Sequence, residues 1–407
     1  MPDQASMPLL TVRAVHATPV EVPLNFVLGT SAVALRQAPL LLVDVETEEG
    51  VSGRTYLFCY LRAAAPAIMS LLGEVESVVR GQAIAPADLW ATLARRFRLI
   101  GVDGVVRMAM AGFDAACWDA LAIAAGVPLA TLLGAEPRPI PAYNSCGLGL
   151  MDSLAALADE AEKLAVGFRA IKLRLGYPVL RDDIAAVHAV RKRLGESVAL
   201  MVDYNQALTV EEALARGRAL DNENIYWLEE PIRHDDYAGA AKLARELKVP
   251  IQIGENFSLP TALVIALAQG AADYVMPDVD RIGGVTGWRQ AAGIAATNRI
   301  PMSSHLFPEV SVHLLAATPT CHFLEYVDWA NVLVEEPLAI VDGHAMTPSR
   351  PGNGMVWDPE QPLTGCVGIH DCPAEVISRS SRDCYQGCRD QSSGSGFGHS
   401  DRVSVLL

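Results

Sequence analysis

Two rhythms of hydrophobic and polar positions divide the chain. From about residue 140 to residue 327 short apolar runs alternate with amphipathic stretches. The runs are IPAYNS, RAIKLRL, VALMVDY, IYWLE, PIQIGE, ADYVMPD, IPMSSH and FLEYV, and segments such as DSLAALADEAEKLAVG and VEEALARGRALD lie between them. An apolar run of about five residues fits a strand buried on both faces, and about 20 residues between runs leave room for one crossover helix. Eight such strands in succession predict an α/β fold, a TIM-like barrel rather than an open sheet. The last connection, LFPEVSVHLLAATPT, is short but keeps a helical period.

The chain before this reads differently. LLTVRAVHATPVEVPL, APLLLVDVETEEG and VSGRTYLFCY predict an antiparallel meander with a hairpin-like turn in VETEEGVSG. NFVLGTSAVALRQ, between the first two strands, reads as a long loop and a candidate mobile lid. RAAAPAIMSLLGEVESVV, APADLWATLARRFRL and VVRMAMAGFDAACWDALAIAAG predict helices, the last ended by Gly126 and Pro128. Strands followed by helices give an α+β domain. The expected division is an N-terminal α+β domain over 1–138, the barrel over 139–330, a segment of short strand-like pieces over 331–361 that rejoins the first domain, and an atypical, poorly ordered tail over 362–407. The tail holds Cys366, Cys372, Cys384 and Cys388 with His370 and His399, but their spacings match no compact Cys-x-x-Cys pair, so a zinc knot is disfavoured.

Composition narrows the partners. A formal charge of −15 over 407 residues argues against nucleic acid and anionic membranes. No apolar run approaches the length of a membrane span, and MPDQASMPLL lacks the basic start of a signal peptide. Cys59, Cys117, Cys146 and Cys321 sit in apolar surroundings and read as buried free thiols of a cytoplasmic protein.

The chemistry stands at the strand ends. Asp203, Glu229 and Glu255 each close an apolar run and are 26 residues apart. Parallel strands bring such ends to one face, and three converging carboxylates repel unless a cation lies between them; an all-oxygen set suits Mg²⁺. Any one acid alone also fits a cap on the following helix, but that reading does not account for all three in step. Lys172 and Arg174, two apart on a strand, share a face, where they need anions; either alone would read as a solvated side chain. Asp278 and His305 end neighbouring strands, as an imidazole base and its orienting carboxylate would. Glu325, beside Phe323, Leu324 and Val327, is expected to be held protonated by desolvation, or else to form a rim ion pair. Together these groups fit proton abstraction next to a carboxylate.

The order Lys172-x-Arg174, Asp203-Tyr-Asn205, Glu229-Glu-Pro, Gly-Glu255-Asn, Pro-Asp278, SSHLF and Glu325, with IGGVTGW and HLLAATPT, resembles the mandelate racemase group of the enolase superfamily from about residue 10 to 357. The resemblance implies an N-terminal α+β capping domain over a (β/α)7β barrel, with Mg²⁺ on Asp203, Glu229 and Glu255. It implies Lys172 and Glu325 on a substrate carboxylate, with Asn205 and Ser145 assisting, and His305 as base. Leu28, Leu35, Phe58, Tyr60, Leu306 and Val327 match its specificity positions and would make an apolar pocket for a hydrophobic or aromatic 2-hydroxy acid. It also suggests a homo-oligomer. The family's racemases carry a second lysine base where this chain has Arg174. A guanidinium is a poor base, so a racemase acting on a hydroxy acid competes with an acid-sugar dehydratase using His305 alone. A catalytically silent metal-binding barrel is the non-enzymatic alternative.

Overall fold

The computed structural model describes residues 9–30 and 34–359; the expected tail and its cysteines lie outside them. Three strands, β1 (Val12–Gly29), β2 (Ala34–Thr47) and β3 (Ser52–Phe58), form an antiparallel sheet in sequence order. Thr47 and Val51 exchange the hydrogen bonds of the tight turn between the last two. The expected loop in NFVLGTSAVALRQ is instead largely strand. After an irregularity between Pro23 and Leu28 the β1–β2 ladder resumes, pairing Leu28 with Leu35 and Gly29 with Ala34. Pairing satisfies backbone groups that a loop would have to leave to water.

Helices Ala64–Val79, Pro86–Phe97 and Gly104–Ala124 follow. The third is buried nearly all round, because one side packs on the sheet and another on the barrel. At its barrel contact Asp114 accepts from the backbone N–H and the hydroxyl of Thr286. Gly53 on β3 lies where any Cβ would strike the carbonyl of Ala116, so the close approach of sheet and helix requires glycine there.

The barrel strands are β4 (Pro139–Asn144), β5 (Ala170–Arg174), β6 (Ala199–Asp203), β7 (Ile225–Glu229), β8 (Ile251–Ile253), β9 (Tyr274–Val275) and β10 (Leu324–Tyr326). They pair in parallel, and β10 returns to β4. The expected seventh strand, IPMSSH, is reduced to isolated bridges: Met302 joins both Val275 and Cys321, and His305 joins Asp278. Most helices between strands bury one side, while Pro308–Ala316 is buried all round. The one at Val210–Leu220 starts with a reciprocal capping box between Thr209 and Glu212.

The segment after the barrel does two things. β11 (Ile340–Val341) and β12 (His344–Met346) form a hairpin whose β12 pairs antiparallel with β4. The chain then reaches the first sheet and its helix. Asp119 accepts from the N–H groups of Arg54 and Asn353, and the Trp357 indole donates to Asp44. Among the described residues no helix is long and apolar enough to cross a membrane.

Candidate active site

Register sets the site. Asp203 and Glu229 are paired neighbours on β6 and β7, and Glu229 is paired with Gln252, three residues before Glu255. At the same strand ends several non-glycine residues hold left-handed backbone: Asn205, Gln206, Glu230, Leu306, Phe307 and, from the cap, Tyr60. Such conformations cost free energy and gather where a fold must aim side chains.

Lys172 is the hub. Its Nζ lies 2.6 Å from Glu229, 2.7 Å from Glu325 and 3.4 Å from Asp203, and all four side chains are at most 2% exposed. One ammonium cannot neutralise three buried carboxylates. Burial first, then Asp203, Glu325 and Glu255, push Glu229 up to about 8 against the pull of Lys172. Glu325 goes the other way. Burial alone would raise it, but Lys172, His305 and hydrogen bonds from Lys172 and the Ser145 hydroxyl bring it down to about 2. It also accepts the N–H of Leu306 at 2.8 Å. Lys172 and His305 thus oppose the protonation expected for Glu325, which pairs with the Lys172 ammonium at 2.7 Å.

Asp203 accepts from the backbone N–H of Asn205 at 2.7 Å and from the Asn205 amide at 2.9 Å; Glu255 accepts from Asn256 at 3.0 Å. As placed, no three His, Cys, Asp or Glu side chains among the described residues close on one point. The carboxylates engage Lys172, Asn205 and Asn256 instead. The donor set nonetheless fits Mg²⁺. It is all oxygen, it carries more negative charge than Lys172 offsets, and Asn205 Oδ1 and Glu230 Oε2 are buried without a hydrogen-bond partner.

His305 and Asp278 meet as expected. Nδ1 of the imidazole lies 2.6 Å from Asp278, while Nε2 faces Glu255 at 3.3 Å and Glu325 at 3.9 Å. Burial disfavours the charged ring, but Glu255, Glu325 and Asp278 outweigh it and raise His305 to about 9. Asp278 also caps the short helix after it through the N–H groups of Asp280 and Arg281, which fixes the carboxylate in turn. Arg174 is committed elsewhere. It donates to the carbonyl of Gly147 at 2.6 Å, and to the carbonyl and hydroxyl of Ser145 at 3.1 and 3.2 Å.

The expected pocket residues belong to one apolar cluster: Leu28, Phe58, Leu306 and Val327 are buried in it, with Leu35 and Tyr60 packed against it. Phe58 contacts Tyr60 and Trp329, with ring centres 4.3 and 4.8 Å apart. Tyr60 departs from the apolar expectation, since the Arg281 guanidinium lies over its ring at 4.7 Å. Arg281 also donates to Asn256, the partner of Glu255. Arg281 and Trp329 escaped the sequence reading. Arg281 stands three residues after Asp278 and its charge at a strand end was a usable signal; Trp329 lies just past the last strand and carried none.

Comparison with known proteins identifies the family and the fold. Residues 10–134 match the mandelate racemase/muconate lactonizing enzyme N-terminal domain and residues 156–361 the enolase C-terminal domain-like family. The chain belongs to the mandelate racemase/muconate lactonizing enzyme branch of the enolase superfamily, and its barrel and first domain are that superfamily's fold. It is 33% identical to 3,6-anhydro-alpha-L-galactonate cycloisomerase of Streptomyces coelicolor over 81% of this chain and 91% of that protein. It is 32% identical to L-talarate/galactarate dehydratase of Salmonella typhimurium over 79% of this chain and 81% of that one. Among solved structures, an enolase from Bradyrhizobium complexed with magnesium and mandelic acid is similar with a TM-score of 0.82 and 40% identity, covering 87% of this chain and 97% of that one. Its curated relatives are thus enzymes, lyases and isomerases.

Proposed function

We propose that this chain is a Mg²⁺-dependent enzyme that removes the α-proton of a 2-hydroxy carboxylate with His305 as its single base, and that it is a hydro-lyase of the acid-sugar dehydratase kind. The observation that carries the single-base reading is the engagement of Arg174. Its guanidinium is spent on three oxygens of the loop at 145–147. Racemisation needs a second base on the opposite face of the α-carbon, and a guanidinium so bound is neither free nor basic.

Asp203, Glu229 and Glu255 would hold the cation, whose charge stabilises the electron density that the substrate carboxylate gains as the C–H bond breaks. Lys172 presents its ammonium to the same carboxylate, with Glu325 fixing its position through the 2.7 Å contact. Ser145 and Asn205 stand beside these groups. The α-proton passes to Nε2 of His305, the ring nitrogen that faces the site. Asp278 holds Nδ1–H and stabilises the imidazolium that results. The electron pair then returns to expel the β-hydroxyl, which takes the same proton from His305 and leaves as water. The enol product becomes a 2-keto acid.

A racemase acting on a hydrophobic or aromatic 2-hydroxy acid is the second reading. It is favoured by the aromatic group of Phe58, Tyr60 and Trp329, where a polyol would leave hydroxyls unpaired. The mandelic acid bound to the Bradyrhizobium relative points the same way. The two separate on products. With Mg²⁺ and a panel of sugar acids, formation of a semicarbazide-reactive 2-keto acid supports the dehydratase. Inversion of mandelate without keto acid supports the racemase, and no turnover of any substrate leaves only a metal-binding barrel.

A further inference from the structure

Trp227 stands two residues before Glu229 on β7, so both side chains point into the barrel. The indole is fully buried, and its N–H donates to Oε2 of Glu229 at 3.0 Å. The other oxygen of that carboxylate, Oε1, faces Lys172. Trp227 sits in a small cluster of its own with Tyr143, Ala170 and Met201, apart from the main core. Four rings meet it edge-on: Tyr143 at 5.3 Å and 84°, Tyr226 at 5.4 Å and 70°, Phe323 at 5.9 Å and 72°, and Tyr274 at 6.2 Å and 63°. These are favourable aromatic geometries, and they leave the ring little freedom to rotate.

A tryptophan that only filled the barrel floor would find any acceptor for its N–H. This one is aimed at a carboxylate of the proposed cation site and is gripped on several sides. We propose that Trp227 is a positioning residue for that site: it fixes the plane of Glu229 and occupies Oε2, so that Oε1 is the oxygen offered to the cation. This rests on the reading of Asp203, Glu229 and Glu255 as the cation's ligands. Partners that orient a metal ligand from behind are typically worth about ten- to a hundredfold in metal affinity.

The test removes the donor and keeps the ring. A benzothienylalanine at position 227, with sulfur in place of the indole N–H, preserves the volume; Trp227→Phe is the encodable companion. Affinity for Mn²⁺ is read by electron paramagnetic resonance of the free ion, and for Mg²⁺ by calorimetry. Circular dichroism and metal-free melting report the fold. The expected result is metal affinity about ten- to a hundredfold weaker in the benzothienyl protein, with its metal-free melting close to that of the unaltered protein. Unchanged affinity in that protein overturns the proposal and leaves Trp227 a packing residue. If the unaltered protein binds neither ion, while Glu229→Gln behaves identically to it, the cation-site reading itself falls and takes this inference with it.

Discussion

Replacing Arg174 by lysine tests the single-base reading from the side where it is most exposed. The guanidinium serves three acceptors, the carbonyls of Gly147 and Ser145 and the Ser145 hydroxyl, and the residue is only 5% exposed. The loop it holds is tight: Gly147 and Leu148 are both left-handed, and Leu148 returns its carbonyl to the N–H of Arg174. A lysine ammonium on a shorter reach serves one of the three. Two buried acceptors are left unmet at about 1–3 kcal/mol each, so Arg174→Lys costs about 2–6 kcal/mol. With an unfolding entropy of about 2 cal/mol/K per residue over 407 residues, that lowers the melting temperature by about 2–7 °C. Against this loss the variant gains a group that deprotonates when buried. In D₂O with Mg²⁺, the enantiomer whose α-proton faces away from His305 should begin to exchange, at least about a hundredfold faster than in the unaltered protein by the lower bound for a positioned base. The assay is proton NMR of each enantiomer of a 2-hydroxy acid, with melting followed by differential scanning fluorimetry. A folded Lys variant with no gain in exchange of that enantiomer would refute the placing of residue 174 beside the α-carbon.

Other consequences follow from the same contacts. His305→Asn removes the base and should lower kcat by about 10²–10⁴-fold with the fold intact by circular dichroism; a smaller loss would assign the proton to another group. Stripping with EDTA should abolish turnover, and Mg²⁺ at a hundred times its Kd should restore it and add about 2.7 kcal/mol of stability, read as a shift in urea midpoint. Asp114 is raised to about 7, chiefly by burial. The native protein therefore keeps a proton that the unfolded chain loses near pH 4, so this residue's contribution makes stability fall as pH rises from about 4 to 7. Asp114→Asn should flatten that slope in urea titrations at pH 5 and 8; an unchanged slope would mean that Asp114 is ionised throughout.

Much of this architecture was legible because a strand buried on both faces must be apolar, while its end need not be. The acids at 203, 229 and 255 announced themselves by closing such runs, and Asp278 with His305 did the same. What periodicity cannot convey is partnership. NFVLG carries no clear alternation, yet it pairs as strand because Leu28 finds Leu35 across the sheet. IPMSSH has the composition of a strand but is held by isolated bridges. Glu325 has apolar neighbours in sequence, which suggested a neutral acid, and in space a lysine that pulls it toward the charged form. Tyr60 read as a pocket wall, but Arg281, distant in sequence, lies on its face. In each case the deciding contact joins elements far apart along the chain.

The claim beneath the rest is that His305, on one face of a bound 2-hydroxy acid, takes the α-proton with Mg²⁺ present. Proton NMR in D₂O, run on each enantiomer separately with the unaltered protein and with His305→Asn, measures this directly. The account predicts solvent deuterium entering one enantiomer only, without inversion, and none in the variant. Exchange of both enantiomers with inversion in the unaltered protein, or exchange that survives the loss of His305, would contradict it.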